Sequence, residues 1–148
     1  MLSNTIDQEI KKAMLAKDQA QLRGLRAIKA ALLLAKTEKG PAEEITEEAE
    51  VKIIQKLIKQ RRESSDIYKA QDRADLAQVE DEEIEVISQF LPKQMDKPEV
   101  EAVIARIVSQ SGASSVKDMG KVMGLANKEL AGKADGKLIA EVVKAQLA

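Results

Sequence analysis

Apolar residues recur three and four positions apart along nearly the whole of this 148-residue chain. That spacing places them on one face of an α-helix, whereas a half-buried strand would alternate in steps of two, and no such alternation is found. Cap-forming residues precede many of the periodic segments, and glycine or proline follows several of them. The sequence therefore predicts an all-α protein.

The cap residues divide the periodic pattern into seven helices. Four are expected before Pro92 and three after it: residues 4–17, 19–38, 47–71, 73–91, 97–111, 116–131 and 136–148. The segment Asp72-Arg73-Ala74-Asp75 resembles a capping box that would open the fourth helix. The expected core faces include Met14 in the first helix and Val79 in the fourth.

Two prolines within the seven residues Pro92–Pro98 rule out a continuous helix at that point. We therefore predict two domains. Residues 1–92 would form a helical hairpin or bundle of about four helices, and residues 93–148 a compact three-helix unit.

The composition lacks most of the side chains that enzymes commonly use for catalysis. Cysteine and histidine are absent, so thiol chemistry, Cys-based metal sites and imidazole acid–base work are not available. Tyr68 and Phe90 are the only aromatic residues, which leaves almost no surface for stacking bases or flavins. We predict no catalytic residue, no metal site and no cofactor, and no small-molecule substrate is evident.

No apolar run approaches the roughly 20 residues of a membrane helix. The N-terminus lacks a basic region followed by an apolar core, so no signal peptide is expected, and a cytoplasmic location is predicted. The formal net charge is −1. Residues 1–92 hold 15 basic and 18 acidic residues, and residues 93–148 hold nine and seven. Any polyanion site must therefore be a local patch.

Lysines and glycines alternate at two turns of the last unit. The candidate site residues are Lys117, Lys121, Lys133, Lys137, Gly120, Gly132 and Gly136. Glycines let a phosphate approach the backbone, and helix N-termini beside lysines favour anions. The alternative is that these are tight turns between packed helices that carry solvated lysines.

A second basic surface is conceivable on the second and third helices. Its candidate residues are Arg23, Arg26, Lys56, Lys59, Arg61 and Arg62. The favoured interpretation is a solvated face balanced by acidic residues at pairing distance.

The apolar face of the third helix turns polar at Arg61, Ser64 and Ser65. Either this break lines a cleft or, as we favour, the helix extends past its partners. The acidic run 80–85 predicts a solvated or partner-facing surface, because consecutive helix positions point in different directions and do not converge on a metal.

Two groups of motifs carry a family resemblance. Residues 90–94 (FLPKQ), 112–123 (GASSVKDMGKVM) and 132–138 (GKADGKL) resemble the YqeY-like family of small bacterial proteins, and the resemblance covers essentially the whole chain. The last two segments also resemble the tail domain of GatB, a subunit of the tRNA-dependent amidotransferase. The resemblance implies a two-part all-α fold and suggests tRNA as a partner.

The GatB resemblance has limits. The chain lacks the large GatB region that supplies nucleotide, metal and ammonia chemistry. The last turn reads Ala134-Asp135-Gly136 where the amidotransferase tail usually has Ala-Asn-Pro.

Three functional hypotheses follow. The first is a non-catalytic tRNA- or RNA-binding accessory protein. The second is an adaptor that docks a larger enzyme through the acidic fourth helix or the polar break of the third. The third and least favoured is a carbon–nitrogen ligase (amidotransferase) that uses glutamine as amido donor.

Overall fold

The computed structural model describes residues 2–40 and 43–148. Across these ranges the regular structure is helical and contains no strand, which confirms the predicted all-α class. The helices are α1 (Leu2–Ala16), α2 (Gln19–Lys39), α3 (Glu47–Ala70), α4 (Ala74–Ser88), α5 (Lys97–Ser111), α6 (Met119–Glu129) and α7 (Gly136–Leu147), with a 3₁₀ helix at Val116–Asp118.

Side-chain caps set four of the helix starts, as predicted. The side chains of Asp18, Thr46 and Asp96 each accept a hydrogen bond from the backbone N–H three residues on, over 3.0–3.1 Å. Asp135 accepts one from Lys137 N over 3.2 Å. These bonds satisfy donors that the first helical turn leaves without an intrahelical partner.

Two predicted starts are wrong. Asp72 adopts a left-handed backbone with φ 59° and ends the turn after α3, so α4 begins after Arg73 without a side-chain cap. The predicted sixth helix is also shorter, because Ser115 caps the 3₁₀ helix and α6 begins only at Met119.

The chain forms two compact units, the first ending at Leu91 and the second spanning Pro92–Ala148. In the first unit, α2 packs against α1, α3 and α4, and α3 forms a hairpin with α4. Met14 is 55% exposed and Val79 is 38% exposed, so their predicted core positions are wrong. Ala13 and Val86 are buried instead, because the spacing of apolar residues fixes a helix face only to within about one position.

A close approach of two helices explains why Val86 is buried. A Cβ placed on Gly24 of α2 would lie 2.6 Å from Cγ1 of Val86 on α4. Glycine at position 24 therefore lets the two helices approach to a distance that any larger residue would prevent.

The second unit packs α5, α6 and α7 around one apolar core. Its most buried side chains are Val100, Ile104, Val122, Ala126, Leu130, Ile139 and Val143. Residues 92–96 precede α5 and are called the strap below. Gln94 Nε2 donates to Gly132 O over 2.7 Å, and Met95 N donates to Lys133 O over 2.8 Å. These bonds fasten the strap to the turn between α6 and α7.

No helix among the described residues is long and apolar enough to cross a membrane. Within residues 2–40 and 43–148, no group of three or more acidic side chains is arranged to hold a metal ion.

Candidate polyanion-binding site

The four candidate lysines lie at two ends of the second unit. Lys121 Nζ is 3.3 Å from the carbonyl of Ser111, the last residue of α5, and Lys117 lies one turn before Lys121. The carbonyl of Lys133 accepts a hydrogen bond from the backbone N–H of Met95, which lies just before α5. Lys137 lies in the first turn of α7. Since α5 has 15 residues that rise about 1.5 Å each, the two ends are about 20 Å apart.

All four lysine side chains are exposed. Among the residues that the structure describes, no partner holds the ammonium groups of Lys117, Lys133 and Lys137. Lys117 and Lys121 therefore lie at one end of the unit and Lys133 and Lys137 at the other, and the four do not form one cluster.

The helix N-termini at these turns are already occupied. Ser115 Oγ accepts from Lys117 N, Asp118 Oδ2 accepts from Ser114 N, and Asp135 Oδ1 accepts from Lys137 N. An incoming phosphate would compete with these caps and meet two carboxylates. This geometry does not favour anion binding at the helix N-termini, and it leaves the ammonium groups as the candidate contacts.

The candidate glycines fall into two kinds. Gly132 is buried at φ 75°, and its carbonyl accepts the bond from Gln94. It is a residue of the turn, and the strap already occupies its carbonyl. Gly120 and Gly136 are exposed, and no described atom lies within 4 Å of a Cβ placed on either.

Lys93 joins this set through the strap. It is exposed and directly precedes Gln94, which is bonded to the turn that carries Lys133. In the sequence, Lys93 stands out only as part of the FLPKQ motif. Its position beside Lys133 depends on the hydrogen bond between Gln94 and Gly132, which are 38 positions apart. No local sequence pattern predicts such a contact.

The proposed second basic surface loses two of its arginines. Arg23 Nη2 lies 2.7 Å from Glu82, and Arg61 Nε lies 3.1 Å from Glu83. Arg23 and Arg61 therefore cross-link α2 and α3 to α4 and do not belong to an open basic surface. Arg26, Lys56, Lys59 and Arg62 are exposed.

The polar break of α3 is part of a helix–helix interface. Ser65 is only 1% exposed, and its hydroxyl donates to Asp81 Oδ1 over 2.7 Å. Lys69 Nζ lies 3.4 Å from the same carboxylate. The favoured interpretation, that α3 extends past its partners, is wrong. Asp81 of the acidic run is exposed, and its carboxylate also binds α3.

The two carboxyl groups at the start of the acidic run have opposite pKa shifts. The hydrogen bond from Ser65 holds the pKa of Asp81 below its usual range, and the charge of Lys69 adds to this effect. Partial burial raises the pKa of Glu80, and the charge of Glu83 adds to that shift. The charged form is therefore favoured at Asp81 and disfavoured at Glu80.

A cavity of about 280 Å³ lies in the first unit between α1, α2 and the start of α3. This is near the lower limit of ligand sites, which are roughly 300–1,000 Å³. Asp7 and Lys29 on its wall bind each other over 2.9 Å, and its other charged residues, Lys36, Glu44 and Glu50, carry both signs. The cavity walls single out no ligand class.

Comparison with protein families matches residues 3–147 to the model described as Yqey-like protein. The chain belongs to the YqeY-like family. A comparison with curated proteins finds no match. In this YqeY-like protein the FLPKQ and GKADGKL motifs touch each other, because Gln94 of the first binds the carbonyl of Gly132 in the second. Residues of both motifs therefore fasten the strap to the turn between α6 and α7.

Proposed function

We propose that this YqeY-like protein is a non-catalytic RNA-binding accessory protein whose second unit holds the phosphate backbone of tRNA. The observation that carries the proposal is that three lysines of the second unit are exposed and lack an anionic partner among the described residues. Lys117, Lys133 and Lys137 are exposed, and in the described part of the chain none of their ammonium groups has a partner. A phosphate backbone supplies the missing anions.

The motif resemblance supports tRNA as the partner. Residues 112–123 and 132–138 resemble the tail domain of GatB in the tRNA-dependent amidotransferase, and these segments contain all four candidate lysines. The unit has no aromatic residue, so its contacts would be to phosphates and to the shape of the RNA.

A salt series with purified protein and bulk tRNA tests the proposal. Each lysine that displaces a phosphate counterion should add about 0.7–0.9 to the slope of log affinity against log salt. Charge reversal by Lys121→Glu with Lys133→Glu should lower the affinity at least about tenfold at low salt, since each repelled phosphate contact is lost.

The matched control is Lys11→Glu with Lys39→Glu, two exposed lysines of the first unit. Equal losses of affinity in the two double variants would mean that only total charge matters. Absence of binding by the parent protein, even at low salt, would overturn the proposal.

The adaptor hypothesis depends on surfaces that are partly used within the first unit. Asp81, Glu82 and Glu83 of the acidic helix bind Ser65, Arg23 and Arg61 within the first unit. The acidic helix and the polar break thus bind each other, and they leave less charge for an outside partner.

The ligase hypothesis has a direct assay. Purified protein incubated with glutamine, ATP and misacylated tRNA is expected to show no turnover. Glutamine-dependent amide formation above a protein-free control would overturn the non-catalytic part of the proposal.

A further inference from the structure

The strap builds a lysine group that the motif pattern alone does not show. Gln94 Nε2 bridges two carbonyls, those of Pro92 at 2.8 Å and Gly132 at 2.7 Å, and the next residue donates its backbone N–H to Lys133. These bonds hold the backbone of Lys93 beside the turn that carries Lys133 and Lys137. An exposed lysine of the strap therefore belongs to the same end of the unit.

The opposite end has its own lysines at a fixed distance. Lys121 contacts the C-terminal residue of α5, and Lys117 lies beside it. Between the two ends, Val100, Ile104 and Ile107 of α5 are buried in the core of the unit. Because α5 is packed along its length, the separation of about 20 Å is rigid.

Helix α6 connects the two ends, and its backbone is exposed at Gly124. Lys121 and Gly124 lie three positions apart on α6 and so share one face. Lys117 lies in the 3₁₀ helix that directly precedes α6. Gly124 is exposed, and apart from its chain neighbours and the nearby backbone of its own helix, no described atom lies within 4 Å of a Cβ placed on it. Residue 124 therefore presents no side chain to a ligand that crosses this face of α6.

The chemistry of this surface suits one form of RNA. Single strands are held mainly by stacking their bases on aromatic side chains, and the second unit has none. Lysine ammonium groups are point charges that contact phosphates and carry no base-specific geometry. A flexible strand must also be ordered before it can bridge two groups about 20 Å apart, whereas a duplex already holds two phosphate strands across its wide, shallow minor groove.

We propose that the second unit binds a double-helical segment of RNA, with the Lys93–Lys133–Lys137 end on one phosphate strand and the Lys117–Lys121 end on the other. The inference rests on the proposed RNA-binding function and adds the form of the RNA and the role of Lys93.

The test compares three ligands with the full chain at one salt concentration. They are bulk tRNA, a blunt RNA duplex of about 16 base pairs, and one strand of that duplex. The duplex length matches the length that known duplex-binding domains span. We expect the duplex to bind at least about tenfold more tightly than the strand, because the strand lacks both stacking partners and a fixed second phosphate row.

Single lysine variants locate the contact. Lys93→Ala, Lys133→Ala and Lys117→Ala should each weaken duplex binding and lower the salt slope by about one. Lys11→Ala in the first unit is the matched control and should change neither quantity. Thermal unfolding of each variant shows whether the fold is retained.

The outcomes separate the two proposals. If tRNA binds but the strand binds as tightly as the duplex, or the duplex does not bind, the duplex inference is overturned and RNA binding stands. An unchanged salt slope in Lys93→Ala would remove the strap from the site and overturn the assignment of Lys93. If neither tRNA nor the duplex binds at low salt, the proposed function fails and this inference fails with it.

Discussion

The two units of the chain use their charged residues in different ways. In the first unit, Arg23 and Arg61 pair with glutamates of α4, and buried Ser65 binds the carboxylate of Asp81. In the second unit, Lys117 and Lys133 extend from the surface without a partner for their ammonium groups in the described structure. These two arginines of the first unit thus cross-link its helices, whereas these two lysines of the second unit make no such link among the described residues.

The glycines show the same contrast. Gly24 is required inside the first unit, because Val86 of α4 occupies the space where its Cβ would be. Gly124 in α6 faces open space, so nothing described within the unit excludes a larger residue. A glycine in the middle of a helix lowers stability, so the one at 124 is unexplained by packing.

Gly24→Ala should have the largest effect on stability. The added Cβ would overlap the side chain of Val86, and overpacking of this kind lowers the free energy of unfolding by about 1–3 kcal/mol. Chemical denaturation measures the loss. In a Val86→Ala background the same change should be less destabilising, and an equal loss in both backgrounds would show that the overlap with Val86 is not its cause.

Ser65→Ala should lower the free energy of unfolding by about 1 kcal/mol, since it removes a buried hydroxyl that binds a carboxylate. It should also change the dependence on pH. The depressed pKa of Asp81 adds stability that is present above the unfolded-state pKa and is lost as pH falls through the folded-state pKa.

The variant should therefore lose less stability on acidification than the parent protein does. Urea denaturation at pH 7 and at pH 3 measures both effects. Equal acid sensitivity in the two proteins would contradict the role given to the Ser65–Asp81 bond.

Gly124→Ala should stabilise the protein by about 0.5–1 kcal/mol, because alanine is the better helix former and finds open space at this position. RNA affinity is the second measurement on this variant. A gain in stability with a loss of RNA affinity would indicate that RNA approaches the α6 backbone here. A loss of stability would mean that Gly124 has a packing role after all.

Glu80→Gln should have the smallest effect, a slight stabilisation at neutral pH. The raised pKa of Glu80 means that the folded state holds its proton more tightly than the unfolded state, so stability decreases as pH rises from the unfolded-state to the folded-state pKa. Glutamine removes that penalty. Thermal melting at pH 7 and pH 3.5 should show the gain only at the higher pH, and a gain at both would point to packing.

Local signals predicted the helices better than the contacts between them. The caps Asp18, Thr46 and Asp96 follow from short-range hydrogen-bonding preferences, and the structure has all three. The core position of Val79 was wrong by part of a turn, because periodicity does not reveal which neighbouring helix must be contacted.

The sequence predicted only part of the candidate site, again because local signals do not show which distant segments contact each other. Its lysines are visible as a pattern in the sequence, but their division between two ends of α5 depends on how α5, α6 and α7 pack. The pairing of Arg61 with Glu83 and the placement of Lys93 beside Lys133 likewise arise from contacts between distant segments. Such contacts leave no periodic signal.

Alanine substitution of matched sets of basic residues in the two units tests most directly whether the second unit holds the RNA. One triple variant removes Lys117, Lys133 and Lys137, and the other removes Arg26, Lys56 and Lys59, all exposed. Affinity for tRNA is measured for both at the same salt concentration. We expect the first variant to lose at least about tenfold in affinity, with its salt slope reduced by about two to three, and the second to lose little. Equal losses, or a larger loss in the second variant, would contradict the claim that the second unit holds the RNA.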